Sequence, residues 1–156
     1  MSLEEKISKV LFSGIEHNFY ELIKNEDFSD ACILIRPIIS PKEYNLFQEK
    51  TQMSFTDFLN RLSQFFKTNP DYVADYDKDT KRWNSSVQST DTVCAFPGCG
   101  SKKTQNDHII PYYLNKSNLF DFIKDKRINL MPLCGFHNRV KTNSILIGIS
   151  FMLHTE

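Results

Sequence analysis

The chain has 156 residues, 40% of them hydrophobic and 24% charged, and its formal net charge is zero. This length allows one ordinary core, or a small core plus a second module held by something other than apolar area. The composition excludes a disordered chain, and the neutral charge argues against a protein that coats nucleic acid indiscriminately. The charge is divided unevenly, because residues 1–91 carry 11 Lys and Arg against 15 Asp and Glu, whereas residues 92–156 carry 8 against 4. The basic second part is therefore where we expect contacts with phosphate groups.

Neither end of the chain predicts a membrane segment. Residues 1–10 alternate charged and apolar side chains without a basic n-region or a long apolar run, so we expect no signal peptide or anchor there. The apolar run Ile145 to Leu153 has nine residues, about half of what a membrane span requires. We expect it to be packing surface in a cytoplasmic protein without a membrane partner.

Three helices are predicted in the N-terminal half. Apolar residues recur at helical spacing over residues 3–24, which predicts one amphipathic helix of about six turns. The pair Ser40-Pro41 has the pattern of an N-cap and a first-turn proline, and predicts a helix to about Lys50. A third helix with a Phe-rich face is predicted to begin after the capping residue Ser54 and to end by about Asn69, where a proline follows.

A division between two parts of the chain is predicted at about 80–91, because residues 71–91 are polar and acidic. Residues 1–85 are expected to form a helical scaffold, a target-recognition region or a dimerisation region. A homodimer formed through these helices is one candidate assembly. Residues 86–156 are expected to form a second module.

A cluster of cysteine and histidine residues is the strongest signal in the sequence. The spacing is Cys-x4-Cys, then 34 intervening residues, then Cys-x2-His. Two short-spaced pairs of this kind supply the four ligands of tetrahedral zinc in a small loop-rich module. The predicted ligands of a structural zinc are Cys94, Cys99, Cys134 and His137.

Disulfides or a coincidental group of buried thiols are the alternative explanation of this cluster. Nothing in the sequence marks the chain as exported, and intracellular thiols normally stay reduced, so zinc is favoured. Cys32 stands apart in the apolar run Ala31 to Ile35, and we expect it to be an inert core cysteine.

Zinc gives no reason for the polar residues that lie between and after the cysteine pairs. These occur in Asp-His-Ile-Ile-Pro at 107–111 and in Asn-Leu-Met-Pro-Leu-Cys-Gly-Phe-His-Asn-Arg-Val-Lys at 129–141. Together with the first cysteine pair, the two segments resemble the HNH endonuclease family. The match covers roughly residues 92–145 and leaves the N-terminal helices unexplained.

The resemblance implies an α+β fold, in which a mostly helical N-terminal region precedes a small zinc-stapled ββα-metal module, also called a His-Me finger. In that family a β-hairpin and a short helix hold a catalytic divalent cation. Here the hairpin would contain His108, Asn129 would lead into its return, and the helix would begin near Gly135. Residues 117–127 would be an amphipathic helix inserted between the halves of the hairpin.

The sequence departs from the commonest family pattern at two positions. The second pair is Cys-x2-His rather than Cys-x2-Cys, which still gives four zinc ligands, and the last histidine of the signature is Asn138, as in HNN variants. A different assignment makes His137 a ligand of the catalytic cation and leaves three cysteines for zinc. We prefer the zinc role for His137, because its register to Cys134 and Lys141 matches and magnesium favours oxygen donors.

The resemblance also implies a role for each polar residue of the motif. His108 would be the general base, a role for which an imidazole is suited near neutral pH. Asp107 and Asn138 would bind magnesium or manganese, and Asn129 would hold the hairpin through hydrogen bonds to the backbone near His108. The residues expected to contact nucleic-acid phosphates are Lys141, Arg139, Lys102 and Lys103. An ordinary turn or cap residue is the alternative for Asn129, and a solvated helix residue is the alternative for Lys141.

These assignments predict a metal-dependent DNA endonuclease, with restriction or phage defence as candidate settings and RNA open as a second substrate. The main alternative is a zinc-stapled module that binds nucleic acid without catalysis, although a pure binder has no need of Asp107, His108 and Asn138. A protein adaptor whose helices carry the function is a third hypothesis, and the basic C-terminal part disfavours it.

Overall fold

The chain forms an α+β structure that is mostly helical in the computed structural model, which describes residues 2–76, 94–96, 99–100, 105–111, 114, 119–120 and 129–154. The helices are α1 Leu3–Ser13, α2 Ile15–Lys24, α3 Phe28–Ile35, α4 Tyr44–Thr51, α5 Phe55–Thr68, α6 Gly135–Lys141 and α7 Ile145–His154, and the strands are β1 Gln105–His108 and β2 Leu130–Leu133. The predicted division at 80–91 and most of the predicted helix at 117–127 lie outside the described residues. Among the helices described, none is both long and apolar enough to cross a membrane.

The first predicted helix is in fact two helices, so the prediction of one helix over residues 3–24 is wrong. Gly14 separates them with a φ of 70°, in the left-handed region that glycine tolerates best. It ends α1 and precedes the first residue of α2. The apolar periodicity runs through this turn without a break, because the buried residues on both sides face the same core.

The other two predicted helix starts are confirmed. Ser40 and Glu43 form a reciprocal capping box around a short 3-10 turn, Pro41–Glu43, from which α4 continues. The Ser54 hydroxyl accepts a hydrogen bond of 3.0 Å from the Asp57 amide at the start of α5. That helix ends at Thr68 with Asn69 as its C-cap, as the following proline predicts.

Helix α3 was not predicted, because eight residues are too few for a clear helical period. It contains Cys32, which is half-buried and packs at the margin of the core. Cys32 is therefore a core cysteine only in part, and it lies apart from the cluster formed by the other three cysteines.

The two strands pair antiparallel and place the motif residues at one end of a small ribbon. Asp107 faces Met131 across the ribbon, and His108 faces Leu130. Helix α6 begins two residues after β2 ends. The order is thus strand, returning strand and helix, with His108 at the end of β1 and Asn129 directly before β2.

Helix α7 connects the C-terminal part to the N-terminal helices. It is apolar on all sides, every residue from Ile145 to Leu153 is buried, and it packs against α1 and α4. This confirms that the apolar run is packing surface. Polar contacts join the same two parts of the chain: Lys50 Nζ donates to the Met152 carbonyl at 2.8 Å, and the Tyr72 hydroxyl donates to the Asn143 carbonyl at 2.7 Å.

The buried carboxylate of Glu16, on α2, satisfies the first turn of α7. It accepts hydrogen bonds from the amides of Ile145 at 2.8 Å and Leu146 at 3.3 Å, and also from the hydroxyls of Tyr20 and Ser144. The Ser144 hydroxyl in turn accepts from the Ile147 amide at 3.0 Å. The free amides at this helix start are therefore bonded to side chains, one of which comes from the opposite end of the chain.

Replacing Glu16 tests how this buried carboxylate affects stability. Burial raises its pKa above the ordinary value of 4.5, so the folded chain retains a proton that the unfolded chain has already released. The stabilisation is complete below pH 4.5 and is lost as the pH rises through the folded pKa. Glu16→Gln keeps an acceptor for Ile145 and Leu146 but does not ionise. We therefore expect its free energy of unfolding to rise relative to that of the wild type as the pH increases from 5 to 8. Urea unfolding of both proteins at each pH measures this difference.

Glu16→Leu provides the contrasting variant, because it removes the hydrogen-bond acceptor together with the charge. Leaving several buried donors unpaired costs about 3 kcal/mol or more. We expect this loss of unfolding free energy at pH 5 and at pH 8 alike. Equal stability of the Leu and Gln variants would contradict the capping role of Glu16.

Because Gly148 has no side chain, the backbone of α7 can pack directly against the backbone that follows β1. A Cβ atom built on Gly148 would lie 2.0 Å from the carbonyl oxygen of Ile109. We expect Gly148→Ala to lower the unfolding free energy by about 2–4 kcal/mol, because backbone must move to relieve the overlap, even though alanine favours helix. Thermal unfolding measures the effect, with Gly14→Ala as a control for a glycine whose Cβ would meet no atom within 4 Å but whose φ is positive.

Candidate metal centre and adjoining polar site

Four side chains from two short-spaced pairs meet in a buried cluster that could hold a metal ion such as zinc. They are Cys94, Cys99, Cys134 and His137, and their ligand atoms all lie within 4.8 Å of one another. His137 Nδ1 lies 3.2 Å from Cys134 Sγ and 3.5 Å from Cys94 Sγ, and the sulfurs of Cys99 and Cys134 are 3.9 Å apart. The structure brings together all four residues that the spacing selected.

Hydrogen bonds from backbone amides position Cys94 and the pair Cys134 and His137. The Ala95 amide donates to the carbonyl of Pro132 on β2 at 2.8 Å, which fixes Cys94 beside the ribbon. Cys134 is the N-cap of α6, and its sulfur accepts from the His137 amide at 3.4 Å. The Cys-x2-His spacing therefore sets both ligands on the first turn of one helix.

Aromatic packing orients the imidazole of His137. The ring stacks on Phe96, with centroids 4.0 Å apart and planes 9° apart, and meets Phe136 edge-on at 5.0 Å. His137 is fully buried, and Nδ1 is the nitrogen that faces the sulfurs. The geometry favours the assignment of His137 to the sulfur cluster over its assignment to a separate catalytic cation.

The donor set fits zinc. Three thiols and one imidazole are common ligands of structural tetrahedral zinc, whereas magnesium takes oxygen donors. The cysteines are free thiols. Burial raises the pKa of the Cys94 thiol to about 12, so at neutral pH this group needs a bound cation to favour its thiolate.

Asn129 clamps the end of the hairpin. It is fully buried, its Oδ1 accepts from the Ile110 amide at 2.8 Å, and its Nδ2 donates to the Ile110 carbonyl at 3.1 Å. Its own carbonyl accepts from the Ile109 amide at 2.8 Å. The expected hydrogen bonds to backbone near His108 are therefore present, two residues beyond it.

Asp107 and Lys141 form an ion pair beside this clamp. Lys141 Nζ lies 2.9 Å from Asp107 Oδ2, and the side chains are 1% and 20% exposed, respectively. Lys141 Nζ also donates to the Thr142 carbonyl at 3.3 Å. Burial lowers the pKa of Lys141, while the charges of Asp107 and Glu16 act in the opposite direction. The alternative of a solvated helix residue is wrong for Lys141, whose ammonium points inward.

Two side chains near this ion pair have an oxygen atom without a hydrogen-bond partner in the part of the chain that the structure describes. Asp107 Oδ1 is free while Oδ2 bonds Lys141, and the Asn138 side chain on α6 likewise makes no hydrogen bond there. Both residues are half-buried, as is His108. A carboxylate oxygen and an amide oxygen are the kinds of ligand atom that magnesium and manganese take, and Asn138 lies three residues before Lys141, the partner of Asp107, on the same helix.

The residues predicted to contact phosphate are placed differently from one another. Arg139 is exposed on α6, whereas Lys141, two residues further along that helix, is buried. Lys102 and Lys103 lie outside the described residues.

Glu16 was not predicted from the sequence to have a special role. The only local signal was an acidic residue within an amphipathic helix.

Comparisons with known proteins give no independent assignment. The chain matches no protein-family model, no curated protein and no solved structure.

Proposed function

We propose that the protein is a metal-dependent endonuclease of the HNH type that hydrolyses phosphodiester bonds in DNA. The observation that supports it most strongly is the position of Asp107 and His108 at the end of β1, beside the Asn129 clamp and the ion pair to α6. A purely structural zinc module has no use for a half-buried carboxylate paired with a buried lysine, or for a half-buried amide on the adjoining helix.

Each polar residue has a defined part in the proposed reaction. His108 accepts the proton of the attacking water, and an imidazole is suited to this task near neutral pH. Asp107 and Asn138 would hold the divalent cation, and a cation bound there would supply positive charge against the charge that develops on phosphate and leaving oxygen. Asn129 keeps the backbone beyond His108 fixed, so that the imidazole needs little rearrangement before proton transfer. Arg139, which is exposed on α6, would contact a neighbouring phosphate.

In this proposal the sulfur cluster, with zinc bound, would hold the module rigid and would take no part in the chemistry. Cys134 caps α6, the helix that carries Asn138 and Lys141, and the turn at Cys94 is hydrogen-bonded to β2. A cation at the cluster would therefore fix the helix against the hairpin, which a module with so small a sheet needs.

Cleavage of supercoiled plasmid tests the proposal. We expect nicking by the wild type in the presence of Mg²⁺ or Mn²⁺ but not of EDTA, and a rate at least about 100-fold lower for His108→Ala, since general-base catalysis contributes roughly 10²–10⁴-fold. His17→Ala is the matched control, because His17 is an exposed histidine on α2. Zinc should be equally bound by all three proteins.

Equal cleavage by wild type and His108→Ala would contradict the role of His108 and point to a contaminating nuclease. Binding of DNA without cleavage, on substrates of varied sequence and modification, would instead support the zinc-stapled binding module. An RNA substrate in the same assay distinguishes the two nucleic acids.

A further inference from the structure

The buried lysine of the candidate site is bonded to the carboxylate that the proposed mechanism assigns to a cation. Lys141 Nζ lies 2.9 Å from Asp107 Oδ2, and its side chain is 1% exposed. An ammonium group in this position has no open path to a phosphate in solvent. Its direct influence is on Asp107 and on whatever cation Asp107 binds.

The ion pair leaves the proposed cation site with almost no net charge. Asp107 contributes one negative charge and Lys141 one positive charge, while Asn138 is neutral. The pair is poorly screened, because Lys141 is buried. A divalent cation at the free Oδ1 atom would approach a carboxylate whose charge is already balanced by an ammonium at its other oxygen.

We propose that Lys141 keeps the cation affinity of Asp107 low in the free protein, so that the divalent cation and a nucleic-acid phosphate bind together. A phosphodiester supplies the negative charge that the site lacks. By linkage, the cation strengthens phosphate binding by the same factor. This inference rests on the proposed function and concerns the regulation of that site.

The placement of Lys141 on α6 maintains this arrangement. Asn138 precedes it by three residues on the same helix, whose N-cap, Cys134, and first turn, with His137, belong to the sulfur cluster. The following residue, Thr142, has a φ of 40°, a conformation that is unfavourable for a β-branched side chain. Its carbonyl accepts from Lys141 Nζ, so the strained turn contributes to holding the ammonium inward.

Manganese binding to the full chain, without nucleic acid, tests the inference. We expect Lys141→Met to bind Mn²⁺ at least about tenfold more tightly than the wild type, because one buried positive charge is removed from beside the cation. Lys141→Gln should behave alike while keeping a hydrogen-bond donor. Arg139→Met removes the same charge from an exposed position nearby, and we expect its Mn²⁺ affinity to change less than about twofold because water and salt screen that position.

A second measurement adds a DNA duplex in the His108→Ala background, which prevents cleavage. We expect the duplex to tighten Mn²⁺ binding strongly when Lys141 is present and much less in the Lys141→Met double variant. Zinc content and thermal unfolding of each variant verify folding, and Lys141→Gln replaces Lys141→Met if the latter does not fold.

Mn²⁺ binding to Lys141→Met or Lys141→Gln that is no tighter than to the wild type would overturn the inference. If the wild type nevertheless cleaves DNA, the proposed function stands and only the role of Lys141 is wrong. If Mn²⁺ binds to none of these proteins and plasmid is not cleaved, both proposals fall.

Discussion

Loss of one cysteine of the sulfur cluster is expected to abolish stoichiometric zinc binding and to unfold the C-terminal module. Cys99 is fully buried within the cluster, so Cys99→Ser leaves the remaining ligands without a closed tetrahedral site. Structural zinc supplies roughly 10–16 kcal/mol of apparent binding free energy in small zinc-finger peptides. Even a fraction of this amount lowers the unfolding midpoint by at least about 10 °C, since 1 kcal/mol corresponds to roughly 2–4 °C for a chain of this size.

Cys32→Ser is the matched control for that experiment. Cys32 is a half-buried thiol on α3 outside the cluster, so the variant should retain one zinc per chain and melt near the wild type. Metal analysis and calorimetry with and without a chelator measure both properties. Full zinc content in Cys99→Ser, or a melting curve unaffected by chelator, would show that the cluster is not a zinc site.

Removal of the Asn129 side chain is expected to cause the second large effect. Asn129→Ala leaves the amide and carbonyl of Ile110 without their partner inside the protein. Each unpaired buried group costs about 1–3 kcal/mol, so we expect a loss of about 2–5 kcal/mol in the free energy of unfolding. The loosened hairpin should also reduce cleavage, because His108 lies two residues before Ile110.

Asn138→Ala distinguishes clamping from cation binding. Asn138 is half-buried and has no side-chain partner in the described part of the chain, so its loss should change stability by less than about 0.5 kcal/mol but weaken Mn²⁺ binding. Urea unfolding and Mn²⁺ titration of both variants make the comparison. An Asn129→Ala variant as stable as Asn138→Ala would mean that water replaces the amide at Ile110.

Local signals in the sequence were sufficient for two helix starts and for the sulfur cluster. Ser40 and Ser54 cap helices through contacts only three residues long. The cluster was predicted because each pair of ligands is brought together by a short loop or a single helical turn. In these cases the physical cause of the structure is contained within a few residues of sequence.

The break at Gly14 was missed although its cause is local, because a glycine in the left-handed conformation ends α1 while the apolar period continues through it. Features that depend on distant parts of the chain were not predictable from local patterns. The burial of Lys141 depends on Asp107, 34 residues earlier. A lysine on a short helix is ordinarily solvated, and only packing against the hairpin makes this one an interior charge.

The contact between Glu16 and the start of α7 joins residues 129 positions apart in the sequence. Contacts of such long range raise the relative contact order, and proteins rich in them fold slowly because the chain entropy is lost before the contact forms. During synthesis, the N-terminal helices emerge well before α7 exists to complete their core. Because α7 also abuts the end of β1 at Gly148, the hairpin that carries Asp107 and His108 receives its final support in the same late step. A ribosome-bound chain that ends before Ile145 would therefore hold these residues without the helix that fixes them in place.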